Sequence, residues 1–300
     1  MKTNEKHHHM KKSFGLLAFL GLLTVAGCQA WPPATAGGKG PDVTLKIGVI
    51  DPICRKSACS CVSDAAKRAF EGMNAKLLRE SGITLEMEYF EDPQLLDRAL
   101  REGQLDGMIG KYTTCGRFAR GSKREFVRLA DITEPSGKAD LRGVFITYKG
   151  SPVKTLEQIP QHRLGLGFQA DTEKYFLPLE TLKNRKLAVA AENRLEFFDC
   201  KSAALALMEQ RVDVAVISDY ALEYGCIVVV GDPKDFQVIG RTDRALPFTT
   251  FMVDAKRVPA DARRRLAAGL LSITGVNVPE DLFSKGWVKP IVWPKDIPEP

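Results

Sequence analysis

Two stretches of the chain decide its architecture when read against each other. The first is Leu96-Asp97-Arg98-Ala99-Leu100-Arg101-Glu102-Gly103-Gln104-Leu105-Asp106-Gly107-Met108-Ile109-Gly110-Lys111-Tyr112. The second is Ala203-Ala204-Leu205-Ala206-Leu207-Met208-Glu209-Gln210-Arg211-Val212-Asp213-Val214-Ala215-Val216-Ile217-Ser218-Asp219-Tyr220. Each reads as a helix, a polar turn ending in Asp, a short apolar strand, and a polar residue with Tyr close behind. Strands that are apolar without alternation are covered on both faces, as in a parallel sheet flanked by helices. In open sheets of this kind ligands bind at the carboxyl ends of the strands. The two copies therefore place Lys111 and Tyr112, and Asp219 and Tyr220, on candidate binding edges.

The same alternation extends outward from both copies. Upstream of the first lie a strand over 45–50, an amphipathic helix over 63–79 and a strand over 84–90. That helix carries Ala66, Phe70, Met73 and Leu77 on one face and stops at Ser81-Gly82. A helix over 93–102 leads into the strand at 107–109. Around the second copy, strands at 164–168, 195–198 and 214–217 alternate with helices at 172–182 and 202–210. A β-α-β-α-β order with apolar strands predicts α/β layering around mostly parallel sheets. The apolar extended segments 142–148 and 248–253 sit where the chain leaves and re-enters the first half, so two crossings make a hinge. A helix over 259–273 then returns to the first lobe. The expected division is lobe one at 44–141 and 249–300, and lobe two with the hinge crossings at 142–248.

The N-terminus has its own signal. Met10-Lys11-Lys12, an apolar run over 14–26 and the ending Val25-Ala26-Gly27-Cys28 follow the order of a bacterial lipoprotein leader. The run is short for a bilayer span. Residues 1–27 are expected to be removed as a signal peptide. Cys28 then carries the lipid, its thiol being the nucleophile at that place. Residues 28–43, rich in Pro, Gly and Ala, read as a flexible tether. The expected location is extracytoplasmic and membrane-anchored, facing the periplasm or the cell surface, with the lipid as the only membrane attachment.

Losing the leader removes four lysines and one glutamate, taking the formal charge from +6 to about +3. That balance argues against nucleic acid. No GxSxG, HExxH, Walker or GxGxxG pattern occurs, and His162 is the single histidine beyond the leader, so neither an enzyme nor a cofactor is expected. Cys54, Cys59, Cys61, Cys115, Cys200 and Cys226 remain as disulfide candidates, an even count in an exported chain. Copper or zinc on Cys59-Ser60-Cys61 is the competing use of those thiols, though no metal is expected without a repeated CxxC pair.

Several segments, in order, carry a family resemblance: Lys46-Ile47-Gly48-Val49, Gly103-Gln104-Leu105-Asp106, Tyr148-Lys149-Gly150-Ser151-Pro152-Val153-Lys154-Thr155-Leu156-Glu157-Gln158-Ile159, Leu164-Gly165-Leu166-Gly167-Phe168, and Val212 through Ala221. Over about 44–275 the chain resembles the phosphonate, phosphite and phosphate periplasmic binding proteins, the PhnD-like (PhnD/SsuA/transferrin) family of ABC-transporter substrate-binding proteins. The stretch from Asp51 to Val62 and Leu222-Glu223-Tyr224-Gly225-Cys226 look like a cysteine-rich branch, some members of which accompany quinoprotein-type dehydrogenases.

The resemblance implies a type II periplasmic-binding fold, two α/β lobes joined by a two-strand hinge. It implies capture of a small polar ligand, an oxyanion, a phosphonate-like molecule or a zwitterion, for the permease of an ABC importer. A monomer is expected. It also implies an anion site at the helix start after the strand at 164–168, where the chain reads Phe168-Gln169-Ala170-Asp171-Thr172-Glu173-Lys174-Tyr175. Only Thr172 matches in kind there, and Asp171 and Glu173 bring negative charge to a place where helix amides would draw an anion. The candidate ligand residues are Lys111, Tyr112, Thr113, Asp171, Thr172, Lys201, Ser202, Asp219 and Tyr220. The lysines suit an anion and the carboxylates an amine. The alternative reading is an extracytoplasmic metal-handling or redox partner protein that works through its cysteines and is associated with a quinoprotein.

Overall fold

A computed structural model describes residues 43–60, 62–169, 171–297 and 299–300. The expected leader, Cys28, the tether up to residue 42, and Cys61 lie outside the described residues. The first part of the chain runs through β1 (Val43–Ile50), α1 (Glu71–Ser81), β2 (Ile83–Tyr89), α2 (Pro93–Arg101), β3 (Gly107–Lys111), α3 (Tyr112–Gly121) and β4 (Phe126–Ile132). After β5 (Asp140–Leu141) come β6 (Gly143–Tyr148), β7 (Leu164–Leu166), α4 (Phe176–Asn184), β8 (Arg194–Glu196), α5 (Cys200–Met208), β9 (Val214–Ser218) and β10 (Phe236–Arg241). The return is through β11 (Leu246–Pro247), β12 (Thr249–Asp254), α6 (Ala260–Ser272) and β13 (Trp287–Val288).

These strands form a six-stranded sheet ordered β13-β4-β12-β3-β1-β2 and a five-stranded sheet ordered β10-β6-β9-β7-β8. Parallel pairs β1/β2, β1/β3, β7/β8 and β7/β9 come from the strand-helix-strand units. The crossing strands run the other way. Thr249 at the start of β12 pairs with Lys111 at the end of β3, and Gly143 at the start of β6 pairs with Ser218 at the end of β9. A chain that arrives from the other lobe enters each sheet at the carboxyl ends of its parallel strands, and so must run antiparallel to them. Between the sheets, β5 and β11 pair antiparallel, Leu141 with Leu246 and Asp140 with Pro247, forming the two-strand hinge.

Each sheet is packed on both faces. On one side of the first, Phe70, Met73 and Leu77 meet Ile47, Phe251 and Leu270, all fully buried. Each such side chain contributes about 1.5–3 kcal/mol through burial. On the other side, Leu96, Leu100, Met108 and Tyr112 cluster with Trp293 and Ile297 of the C-terminal tail and with Leu177 of α4. The second sheet separates one cluster around Ile146, Leu207 and Ile217 from another around Phe145, Leu166 and Val216.

Two helices begin later than the sequence periodicity predicts. Helix α1 starts at Glu71 rather than at residue 63, and residues 62–65 fold as turns. Arg68 explains it. Its guanidinium is fully buried, paired with Asp51 at 2.5 Å and donating to the Thr133 carbonyl at 3.1 Å. A buried charge with fixed partners outweighs a helical spacing of apolar residues. Helix α4 starts at Phe176 rather than Thr172, because backbone hydrogen bonds tie Gly167 to Lys174, and Asp171 to Phe168 and Lys174, in a separate turn before it. Helix α3, absent from the sequence reading, follows β3 directly. Its opening Tyr112-Thr113-Thr114-Cys115-Gly116 is made of weak helix formers.

The C-terminal tail straps the lobes together. The Trp293 ring lies 5.3 Å from Tyr112, and its Nε1 donates to the Ile297 carbonyl at 2.7 Å. Arg244, on the returning hinge segment, donates to both carboxylate oxygens of Asp296 at 2.6 Å and to Glu180 of α4 at 3.2 Å. Among the described residues no helix is long and apolar enough to cross a membrane.

Candidate functional site

The carboxyl ends of β3 and β9 meet on a single side chain. Lys111 ends β3 and its Nζ donates to Glu173 Oε1, while Ser218 ends β9 and its Oγ donates to the same oxygen at 2.9 Å. Glu173 stands in the turn between β7 and α4. Backbone bonds from Asp171 to Phe168, from Lys174 to Asp171 and from Gly167 to Lys174 hold that turn, and Lys174 Nζ pairs with Asp171 at 3.1 Å. Gly143 makes room for it: a β-carbon there would lie 2.1 Å from the Glu173 carbonyl oxygen.

Burial by itself would raise the Glu173 pKa. The Lys111 and Lys174 charges and the Lys111 hydrogen bond outweigh it and hold the carboxyl down to about 2. The group is therefore an anion, fully buried, and among the described residues its Oε2 has no hydrogen-bond partner.

Beside this ion pair is a cavity of about 200 Å³. Lobe one supplies an apolar wall of Ile50, Pro52, Val62 and Pro93, with Glu91 and Lys111 as its charges, and lobe two supplies Tyr220, Gly225 and Cys226. Tyr220 stacks on Phe248 at 4.9 Å. Its pKa is driven well above the ordinary value, by burial first and then by Cys200, Cys226 and Glu173, so its hydroxyl stays protonated. Farther out, a groove of about 1010 Å³ separates Arg98, Arg101 and Arg117 from Phe168, Asp171 and Phe198. The rings of Phe168 and Phe198 meet edge to face at 5.8 Å.

Of the residues singled out from the sequence, Lys111 and Tyr220 line the inner cavity and Asp171 lines the outer groove. Asp219 opens a short 3-10 turn and accepts from the Tyr220 amide at 3.1 Å. Burial, with a smaller push from Asp140, raises its pKa to about 6 despite the Arg142 and Tyr220 amides and Arg241. It faces Glu134, which burial and Asp219 raise to about 7. Ser202 is engaged in a capping box with Asp199, and Lys201 beside it is half-buried. Thr172 accepts from the Leu177 amide through its carbonyl. Tyr112 is packed away from the cavity, under Trp293 and 4.2 Å from the Arg128 guanidinium, and Thr113 is buried next to it.

Glu173 and Ser218 were not among those candidates. Ser218 had a signal, because it stands in the second copy where Lys111 stands in the first. Their equivalence is visible in the register, each pairing with the first residue of a crossing strand. Glu173 had one too, as negative charge at the helix start where an anion was expected, but its burial depends on Gly143, remote in sequence.

The cysteines divide. Cys54, Cys115 and Cys200 carry free thiols, contrary to the expectation of disulfides, because they are enclosed in three separate apolar clusters. Burial pushes the Cys54 thiol up to about 11 and raises Cys115 further. Cys59 and Cys226 line the inner cavity from opposite lobes. Among the described residues no group of three or more His, Cys, Asp or Glu could hold a metal ion.

The sequence matches the family model for periplasmic substrate-binding proteins of phosphonate ABC transporters over residues 61–292. Among solved structures, PhnD1 from Prochlorococcus marinus in complex with methylphosphonate aligns with a TM-score of 0.59 at 13% identity, over 82% of this chain and 92% of that one. A binding-protein component of an ABC phosphonate transporter from Pseudomonas aeruginosa aligns with a TM-score of 0.57 at 16% identity, over 81% and 80%. A Xanthomonas citri protein bound to ATP gives 0.55 at 21% identity, over 83% and 91%. At such identities the likeness is one of fold. None of the curated proteins matches the sequence.

Proposed function

The chain belongs to the periplasmic substrate-binding proteins of phosphonate ABC transporters, and from that premise we propose that it is a lipid-anchored, monomeric receptor that closes on a small polar ligand between its lobes. It then delivers the ligand to the permease of an importer. The observation that carries this reading is the cavity walled by both lobes beside the meeting point of Lys111 and Ser218. Ligands of open α/β sheets occupy this kind of place. Tyr220 and Lys111 face the ligand from opposite lobes. Asp171 borders its entry, and Asp219 and Lys201 complete the polar surroundings. The anchor reading draws on Val25-Ala26-Gly27-Cys28.

A thermal-shift screen over oxyanions, phosphonates, amines and metals finds the ligand, since a ligand at one hundred times its Kd stabilises by about 2.7 kcal/mol. Calorimetry on Lys111→Ala, Lys201→Ala and Asp219→Ala then tests the site. Removing the Lys111 ammonium from the cavity wall should change affinity by roughly tenfold or more, downward for an anion that loses a partner and upward for a cation that then faces an unbalanced Glu173. Unchanged affinity in all three variants refutes the placement. A second reading, a soft-metal or redox partner protein, draws on Cys59 and Cys226 facing one cavity. Metal analysis and thiol counting on the purified protein separate the two.

A further inference from the structure

We infer that Glu173 is a resident anion of the cleft, and that the site selects a small organic cation, an ammonium group on a compact apolar body, over free oxyanions. The inference rests on the solute-receptor reading above and names its ligand class.

Whatever occupies the point where the ends of β3 and β9 converge joins the two lobes. In this chain a side chain of the protein occupies it. Glu173 Oε1 takes Lys111 Nζ from lobe one and Ser218 Oγ from lobe two. The placement is built into the fold: backbone bonds among Gly167, Phe168, Asp171 and Lys174 close the turn that carries Glu173, and Gly143 lacks the atom that would collide with the Glu173 carbonyl. An oxyanion entering beside this carboxylate meets a like charge, and the lysine that would serve it is already engaged.

The remaining chemistry favours a cation. Oε2 of Glu173 is a buried acceptor without a partner among the described residues; Glu173 is not part of the cavity lining, so its charge acts on a ligand through the wall rather than by direct contact. Lys111 lines the adjoining cavity, so the carboxylate lies just behind that wall. With Lys111 balanced by Glu173, the other charged side chain on the cavity wall is the carboxylate of Glu91. Tyr220 adds an aromatic ring, the kind of surface on which organic cations settle. Ile50, Pro52, Val62 and Pro93 give the wall an apolar patch suited to a short alkyl body, beside the hydroxyls of Ser57 and Thr114. The volume of about 200 Å³ corresponds to about seven water-sized groups at ~30 Å³ each.

The test is calorimetry on the full processed chain with propylammonium, methylphosphonate, inorganic phosphate and 2-aminoethylphosphonate as probes. The expected result is heat of binding with propylammonium and none with methylphosphonate or phosphate at millimolar concentration. Glu173→Gln should weaken propylammonium by roughly tenfold or more and, by releasing Lys111, introduce binding of methylphosphonate. Wild-type protein that binds methylphosphonate or phosphate as tightly as propylammonium overturns the inference and leaves the receptor reading standing. Binding of 2-aminoethylphosphonate without propylammonium does the same, because it makes the anionic end the recognised one. Silence with all four probes also overturns it, and the receptor reading is then decided by the wider screen and the Lys111 variant. If circular dichroism shows that Glu173→Gln does not fold, the wild-type panel decides by itself.

Discussion

Replacing Arg68 with Met removes a charge that no water reaches and leaves its partner behind. Arg68 and Asp51 are both fully buried, and both belong to lobe one, so opening the cleft cannot wet the carboxylate. Asp51 keeps one acceptor contact, from the Ile53 amide at 3.1 Å, but loses the guanidinium at 2.5 Å. Methionine fills much of the same volume, so the cavity contribution is small and the cost is electrostatic. Breaking a buried pair by removing one partner costs about 3–5 kcal/mol. The double variant Arg68→Met/Asp51→Asn removes both charges and should return to within about 1–2 kcal/mol of wild type. Urea unfolding is the assay, with the fluorescence of Trp287 and Trp293 reporting on this lobe. Ligand affinity should fall as well in the single variant, because Asp51 and Arg68 anchor the loop that carries Pro52, Ser57, Cys59 and Val62 to the cavity wall. A single variant within about 1 kcal/mol of wild type, or a double variant no better than the single, refutes the electrostatic account.

Cys28→Ala should abolish lipid labelling and leave the leader uncleaved; a variant still labelled and membrane-bound counts against the anchor. Gly143→Ala should destabilise by about 1–3 kcal/mol and weaken ligand binding, because the new β-carbon pushes the Glu173 turn aside; an unaltered melting curve and affinity would show that the close approach is not needed. Glu134 has a folded pKa of about 7, above its ordinary 4.5, through burial and the nearby Asp219. Its ionisation therefore works against folding, and wild-type stability is lost as pH rises through that window. Glu134→Gln should raise stability by roughly 1–3 kcal/mol at pH 8 and change it little near pH 4.5. Parallel pH profiles for the two proteins would contradict the assignment.

The layering was legible because it depends on local pattern, while the hinge was read a few residues late: 142–148 and 248–253 are mostly strands inside the two sheets, and the pairing between the lobes is Asp140–Leu141 with Leu246–Pro247. Apolar strands, their helices and the echo between the two halves each span a few residues. What the sequence hid depends on contacts made across it. The start of α1 is displaced by Arg68 answering Asp51, and the turn before α4 by the closure around Glu173. In each case a buried charge overrides the apolar spacing. The candidate site was legible by halves. Lys111 and Tyr220 follow from their place after a strand, whereas Glu173 reaches the cleft only because a glycine stands thirty positions earlier. Tyr112 satisfies the same positional rule as Tyr220, yet Trp293 of the tail covers it, a contact with no trace in the sequence around it.

The tail that covers Tyr112 also constrains how the protein can be handled. Asp296 holds Arg244, which in turn holds Glu180, so the last residues act as a cross-brace spanning the hinge rather than as a dispensable end. Cutting the chain before Trp293 would free Tyr112, unload Arg244 and expose the cluster into which Leu177 packs. A shortened protein could keep every residue of the cavity and still swing through a wider angle. Arg120 grips the Glu299 carbonyl and fastens the same segment to α3. Affinities measured on trimmed versions therefore report on the brace as well as on the ligand.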